Sequence, residues 1–383
     1  MQTIKHGGYC KQRMESPLAY NRDYALNAIC PYFTMFPLEY PLQVIGKHKR
    51  DLPTVVDPFC GRGTTIYAAR RMGLKSYGFD ISPIAVAIAQ AKLASASVAD
   101  VVALAKRLIG TDPKHVPSTL FFKNAYAPDT LRELCSLREG LQRIRIETDA
   151  STLLRAAALG CLHGPRAANV DRSGYFSNQM PRTFASKPDY SVRYWKERKI
   201  TAPQVSVLKV LERKLTRIRD LDAPKVGTFD RIKCADSRLA RPYRHINGRL
   251  LVVTSPPYYG MRTYMQDQWL RHWFLGGPDT VDYETEIQLR HSSHDDFVRD
   301  LARVWRHLRN RADELDLYIR FGTIPSAKSD ARELMKASLE EAGRLRLIYT
   351  KRAHTASEGK RQADQMQSDS VPAEEFDFHA VAA

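Results

Sequence analysis

Two apolar strand segments that each deliver a rigid turn, with strand-like and helix-like text alternating around them, predict an α/β protein. The architecture expected is a doubly wound, mostly parallel sheet carrying a mainly helical insert. The first segment, Thr54-Val-Val, runs into a glycine turn, and the second, Leu250-Leu-Val-Val, runs into two prolines. Further strands are expected at Ser76-Tyr-Gly-Phe, at 315–321 and at 345–349. Helical spacing of apolar residues marks 65–72, an alanine-rich run over 84–108, and stretches at 297–308 and 331–342. The middle third has helical periodicity at 151–162 and 205–221, separated by irregular, proline-bearing text over 164–190. After Ser357 the chain is polar, although Glu375-Phe-Asp-Phe alternates enough for a short edge strand.

The expected organisation has four parts. Residues 1–150 hold an N-terminal segment and a cofactor-binding half, 151–233 a basic helical insert, 234–356 a catalytic half, and 357–383 a polar tail. The formal charge of +17 and pI near 9.6 favour a polyanionic partner. That charge is uneven: residues 151–234 carry 17 Lys/Arg against 7 Asp/Glu, a net +10. The apolar runs are too short to cross a bilayer and the first ten residues lack an apolar signal core, so a cytoplasmic protein with no membrane partner is expected. Six scattered cysteines with no C-x-x-C pair argue against structural zinc or a disulfide framework and for reduced core thiols. No metal is expected at the site.

Chemistry concentrates first in Val55-Val-Asp-Pro-Phe-Cys-Gly-Arg-Gly-Thr-Thr65. Here a buried strand ends in an acid, and a glycine loop then opens a helix. Gly61 and Gly63 let the backbone approach a ligand that a Cβ would obstruct, and the helix N-terminus offers free N–H groups. The spacing is not that of a P-loop, because no lysine follows the second glycine. It also departs from G-x-G-x-x-G, with Ile66 where the third glycine would stand. The second constellation is Leu250-Leu-Val-Val-Thr-Ser-Pro-Pro-Tyr-Tyr-Gly260. It places a polar group at the C-terminal end of a strand, where open α/β sheets put their sites. Two prolines then fix the directions of the carbonyls.

Together the two loops resemble those of the amino-group DNA methyltransferases, the N4-cytosine and N6-adenine enzymes. That resemblance implies a Rossmann-like class I methyltransferase fold and S-adenosylmethionine as cofactor. In the first loop it implies cofactor contacts from Asp57, Pro58, Phe59, Gly61, Gly63, Thr64 and Thr65. In the second, Ser255, Pro256, Pro257 and Tyr258 are the expected catalytic residues. The Ser255 hydroxyl and the Pro256 carbonyl would accept hydrogen bonds from an exocyclic amine, and Tyr258 would stack on a base taken out of the duplex. Holding the amine in line with the methyl donor is mainly a positioning task. Asp80, with Ile81 beside it, is placed to bind ribose hydroxyls, although a helix N-cap is the competing role. Asp236 in Cys234-Ala-Asp-Ser-Arg is similar to the family's acid on the adenine side. Thr34 lies in Tyr32-Phe-Thr-Met-Phe-Pro37, which resembles the segment closing over the methionine end; an aromatic core patch is the alternative there.

Beyond the loops, Met261-Arg-Thr-Tyr, Gln268-Trp-Leu-Arg-His-Trp-Phe and Ser177-Asn-Gln-Met-Pro-Arg-Thr-Phe are similar to segments of bacterial DNA methylases. The order of the loops, cofactor loop first, is not the family's commonest and leaves room for a target-recognition insert. In it, Arg182, Lys187, Arg193, Lys196 and Arg198 are the expected phosphate contacts on double-stranded DNA, with Tyr190, Tyr194 and Trp195 interleaved. A solvated basic helical face is the alternative. The Thr-Ser-Pro-Pro-Tyr form favours N4 of cytosine, with N6 of adenine as the near alternative. An RNA amine methyltransferase and a non-catalytic DNA-binding protein of the same fold are the other classes. A C5-cytosine enzyme is disfavoured because no Pro-Cys dipeptide occurs. A separate restriction endonuclease or defence component would be the expected protein partner.

Overall fold

The computed structural model describes residues 22–32, 37–218, 231–260, 265–281, 293–323, 329–353 and 374–383. After α1 (Glu39–His48) comes β1 (Thr54–Asp57), and the glycine turn leads into α2 (Thr64–Arg71). Then follow β2 (Ser76–Asp80) and α3 (Pro83–Ala91). The Ser82 side chain caps α3 by accepting from the Ala85 N–H, and Pro83 supplies a first-turn residue whose missing N–H costs nothing. Before returning to the sheet the chain makes α4 (Val98–Ile109), α5 (Leu120–Ala125), α6 (Pro128–Gln142), α7 (Asp149–Leu159), α8 (Pro188–Glu197) and α9 (Val207–Ile218). The remainder alternates as β3 (Ile232–Cys234), β4 (Arg249–Thr254), α10 (Trp269–Phe274), α11 (His294–Arg309), β5 (Glu314–Gly322), α12 (Ala331–Ala342), β6 (Leu345–Arg352) and β7 (Glu375–Ala382).

Among the described residues, seven strands form one sheet in the order β3-β2-β1-β4-β5-β7-β6. The pairs from β3 to β5 are parallel, whereas β7 runs antiparallel to both β5 and β6. This is the mostly parallel α/β sheet that the alternation of strands and helices predicts. The central strands are apolar throughout because both faces are covered. Val55, Leu251 and Val253 pack with the helices of the long β2–β3 connection in one cluster. Val56, Leu250 and Val252 pack with α11 and α12 in another.

Three expectations need correction. The run expected as one helix over 84–108 is two helices, α3 and α4. The Lys92 and Ala94 carbonyls are taken by the buried Arg70 guanidinium, at 2.8 and 2.9 Å, and Ser97 caps a new start by accepting from the Asp100 N–H. The second correction is at the C-terminus, where the text expected as a polar tail with a short edge strand ends in an eight-residue inner strand, β7. Its Phe378 and Ala380 are fully buried between neighbouring strands. Third, strand β3 had no counterpart in the periodicity, since only Ile232 of its three residues is buried. Met261-Arg-Thr-Tyr and Thr34 lie outside the described residues. Of the six cysteines, the five within the described residues are free thiols; four are buried and Cys234 is exposed.

Candidate active site

The sheet order reverses between β1 and β4, which are adjacent and parallel. A crevice at such a switch point is where open α/β sheets bind ligands. The glycine loop leaves β1 there and the Ser-Pro-Pro-Tyr loop leaves β4, so two segments 197 residues apart in sequence become neighbours. A hydrogen bond joins them: the Thr254 hydroxyl donates to Asp57 Oδ1 over 2.6 Å. The same oxygen accepts from the Phe59 N–H at 3.2 Å. In the first turn of α2, the Thr65 hydroxyl donates to the Val253 carbonyl at 3.0 Å, a second tie between the two segments.

Asp57 is fully buried, and its Oδ2 has no hydrogen-bond partner among the described residues. Burial pushes its carboxyl up to about 6, against the Thr254 hydroxyl, the nearby Thr65 hydroxyl and the Phe59 N–H, which favour the ionised form. An unmatched buried carboxylate oxygen is costly unless a ligand brings it a donor. Asp80, at the end of β2, faces the same loop: its Oδ2 accepts from the Gly61 N–H at 2.9 Å and its Oδ1 from the Ser82 N–H at 2.8 Å. Burial raises its carboxyl to about 6 as well, restrained by the N–H groups of Ser82, Gly61 and Ile81. The helix cap weighed for Asp80 falls to Ser82, and Asp80 instead ties that cap to the glycine loop.

The two glycines serve different needs. Gly63 has φ +77°, and a Cβ there would stand 2.7 Å from the Ala89 Cβ, so it permits α2 to close against α3. Gly61, with φ +48°, would aim a Cβ into open space, with no atom within 4 Å. The carboxylate of Asp80 is bound to the N–H of this same Gly61. Phe59 packs edge-on against Trp305 at 6.3 Å, and Cys60 lies buried beneath Gly78. Burial drives the Cys60 thiol well above its ordinary range, which removes it as a nucleophile.

Tyr32 reaches the same place from the N-terminal segment, donating to the Ser82 hydroxyl at 3.4 Å. Burial, and secondarily the Asp80 carboxylate, raises its phenol above the normal range. Asp236 follows β3 and is occupied by Arg238, whose Nε and Nη2 donate to it at 3.0 and 2.7 Å. Against the opposing effect of burial, those bonds hold its carboxyl below the usual range. Any ligand contact from Asp236 would share that carboxylate. The Asp236 turn touches the cofactor loop through the Ser237 hydroxyl, which donates to the Pro58 carbonyl.

In the second loop, Pro256 is buried while Ser255, Pro257 and Tyr258 are partly exposed. Among the described residues, no hydrogen bond engages the Ser255 hydroxyl. The Tyr258 hydroxyl donates to Glu375 Oε1 at 2.6 Å, and Tyr259 turns inward against Phe297 and His294. Thr254 and Glu375 escaped the sequence reading. Thr254 was discoverable as the last strand residue beside the Ser-Pro-Pro-Tyr turn, whereas nothing local marks Glu375. Among the described residues, no group of three or more His, Cys, Asp or Glu is placed to hold a metal.

The five basic residues expected to meet phosphate, Arg182, Lys187, Arg193, Lys196 and Arg198, are all exposed, the last three on or just after α8. Tyr190 is 54% exposed, and its ring lies 6.3 Å from that of Tyr194. The Arg198 guanidinium sits 4.1 Å over the Tyr194 ring. Trp195 must be withdrawn from this surface: it is buried, and its indole N–H donates to the Gln179 carbonyl at 2.8 Å. Residues 177–186 are bolted to the segment that follows the catalytic loop. The buried Arg271 of α10 donates to the carbonyls of Leu159, Arg182 and Thr183, and the Trp269 indole donates to Ser186. The basic insert is thereby coupled to the chain leaving the Ser-Pro-Pro-Tyr loop.

Residues 11–91 match the model of a family described as DNA methylase, the N6/N4 group. This match supports the amino-group DNA methyltransferase family and, with it, methyltransferase activity. No curated protein sequence matches the chain. Among solved structures, the rRNA methyltransferase aviRa from Streptomyces viridochromogenes is 14% identical, covering 96% of this chain and 94% of its own, with a TM-score of 0.33. No helix among the described residues is long and apolar enough to cross a membrane.

Proposed function

From an N-terminal quarter that matches the DNA methylases, we propose that the chain methylates an exocyclic amine of DNA, N4 of cytosine in a flipped-out base. The observation that carries this reading is the Thr254–Asp57 hydrogen bond, which sets the glycine loop against the Ser-Pro-Pro-Tyr loop at the switch point of the sheet. Asp57, Asp80, Gly61 and the N-terminus of α2 would hold S-adenosylmethionine, with Phe59, Ile81 and Asp236 at its other end. When bound, it supplies an electrophilic sulfonium methyl group. An amine whose lone pair is delocalised into a ring is a weak nucleophile. The Ser255 hydroxyl and the Pro256 carbonyl accept its two N–H groups, favouring a more tetrahedral nitrogen with its lone pair directed outward. Tyr258 offers a ring face for the base, repaying part of the unstacking cost. Exposed Arg182, Lys187, Arg193, Lys196 and Arg198 neutralise phosphate and fix the register of the duplex. Serine at position 255, rather than Asp or Asn, supports cytosine over adenine.

The test is nucleoside mass spectrometry on DNA incubated with the protein and methyl-labelled S-adenosylmethionine. Labelled N4-methylcytosine is expected, and Ser255→Ala with Tyr258→Ala should lower transfer by roughly 10²-fold while cofactor binding survives. Labelled N6-methyladenine would move the target to adenine within the same mechanism. Label in RNA alone would overturn DNA as the substrate, and undiminished transfer by the double variant would overturn the catalytic assignment.

A further inference from the structure

We infer that Glu375 is a positioning residue that sets the orientation of the Tyr258 ring, an inference resting on the proposed use of that ring as a stacking surface. A tyrosine at the end of a loop has two side-chain torsions to fix before its face can receive a base. The backbone on either side is already constrained. Pro256 and Pro257 precede it, and Tyr259 after it forms a bridge with Thr323 and packs its ring 5.3 Å from that of Phe297. What remains is the Tyr258 ring itself, and its neighbours among the described residues include Phe321 and Glu375. The Tyr258 ring packs T-shaped with the Phe321 ring, the centroids 5.8 Å apart and the planes at 83°. Its hydroxyl donates to Glu375 Oε1 at 2.6 Å, the short bond expected of a carboxylate acceptor. Gly322 lies close beneath this pair: a Cβ there would stand 2.5 Å from the Glu374 carbonyl oxygen, 3.1 Å from Tyr258 Cε2 and 3.3 Å from Glu375 Cγ.

The topology explains why a residue so distant in sequence does this. Where parallel strands end, an antiparallel strand begins, so the first residue of β7 lies at the edge of the sheet that carries the site. The register places Glu375 opposite Gly322, the last residue of β5. The reversed strand thus returns a carboxylate to the catalytic loop. A hydroxyl committed to that carboxylate leaves the ring to act through its face.

The experiment uses the full chain, labelled S-adenosylmethionine and unmethylated genomic DNA, with Glu375→Ala, Glu375→Gln, Tyr258→Phe and the Glu375→Ala/Tyr258→Phe pair. Glu375→Ala and Tyr258→Phe should each lower kcat by about tenfold with KM for the cofactor unchanged, since a misplaced group costs rate and not cofactor affinity. The double variant should be no worse than either single one, and Glu375→Gln, which keeps an acceptor, should recover most of the rate. Additive losses, or a glutamine variant as slow as the alanine one, would overturn the inference. A second readout needs neither DNA nor turnover: with 3-fluorotyrosine at position 258, Glu375→Ala should move the fluorine resonance of the free protein, and an unmoved resonance sinks the inference. If the wild-type protein transfers no methyl group to DNA, the substrate reading fails, and the fluorine resonance alone decides the contact with Glu375.

Discussion

Asp57 bonds Thr254 and the Phe59 N–H through one oxygen, while Oδ2 stays buried without a hydrogen bond. Its carboxyl and that of Asp80 sit at about 6, above the ordinary 3.8, chiefly because burial disfavours the charge. Between about pH 4 and 6 the folded chain therefore binds more protons at these positions than the unfolded chain. Their contribution to stability is greatest below that window and declines as pH rises through 6. For the ligand-free protein this component raises the melting temperature as pH falls from 7 to 5, and Asp57→Asn should remove the share that belongs to Asp57 and leave that of Asp80. Cofactor binding should have the opposite sign. A cation donating to Oδ2 needs the ionised form, so affinity for S-adenosylmethionine should fall as pH drops below 6. Calorimetric titration over pH 5–8 checks this, and an Asp57→Asn variant that binds as tightly as the wild type at every pH would rule the contact out.

Among the elements, α8 has two faces with different work. Trp195 turns inward and anchors the helix, whereas Tyr190, Tyr194 and Arg198 recur at four-residue spacing on the exposed side, with Arg193 beside Tyr190. Replacing Arg193, Lys196 and Arg198 together by alanine should weaken DNA binding at low salt. It should also reduce the slope of log affinity against log salt by about 0.9 for each phosphate that is no longer neutralised. Trp195→Ala should instead cost about 3–5 kcal/mol of folding stability, because it empties a filled core position. Fluorescence anisotropy across a salt series, paired with thermal melts, separates the two. An unchanged salt slope in the triple variant would assign the basic face to solvent alone. The helix periodicity announced α9, α11 and α12 because each buries one stripe along a continuous turn pattern. The break between α3 and α4 was hidden because it depends on Arg70, a distant residue that captures two carbonyls.

On the scale of the whole molecule, β7 joins the outer strand β6 to β5 and so to the parallel part of the sheet. Deleting residues 375–383 would remove both ladders that link β5 to β6, take the buried Phe378 and Ala380 out of the core, and remove Glu375 from the site. The shortened chain should lose its cooperative melting transition, as followed by circular dichroism. A cooperatively folding product would show that β6 can replace β7 beside β5. The long β2–β3 connection shares one apolar cluster with the sheet, including Val55, Leu251 and Val253. Its basic surface is therefore carried on the same packed body as the two loops.

The sequence alone determined what local text encodes. Buried strands β1, β2, β4 and β5 follow from apolar runs, the glycine turn from Gly61 and Gly63, and the rigid loop from Pro256 and Pro257. Each of these depends on backbone chemistry or burial within a few residues. Tertiary structure decided everything that depends on which distant segments meet. It put β7 inside the sheet rather than at its edge, withdrew Trp195 into the core, and gave the cap of α3 to Ser82. It also brought Thr254 to Asp57 and Glu375 to Tyr258. Those contacts span 197 and 117 residues, and no local pattern marks them, because a hydrogen-bond partner is chosen by the register of the sheet and not by its neighbours in the chain.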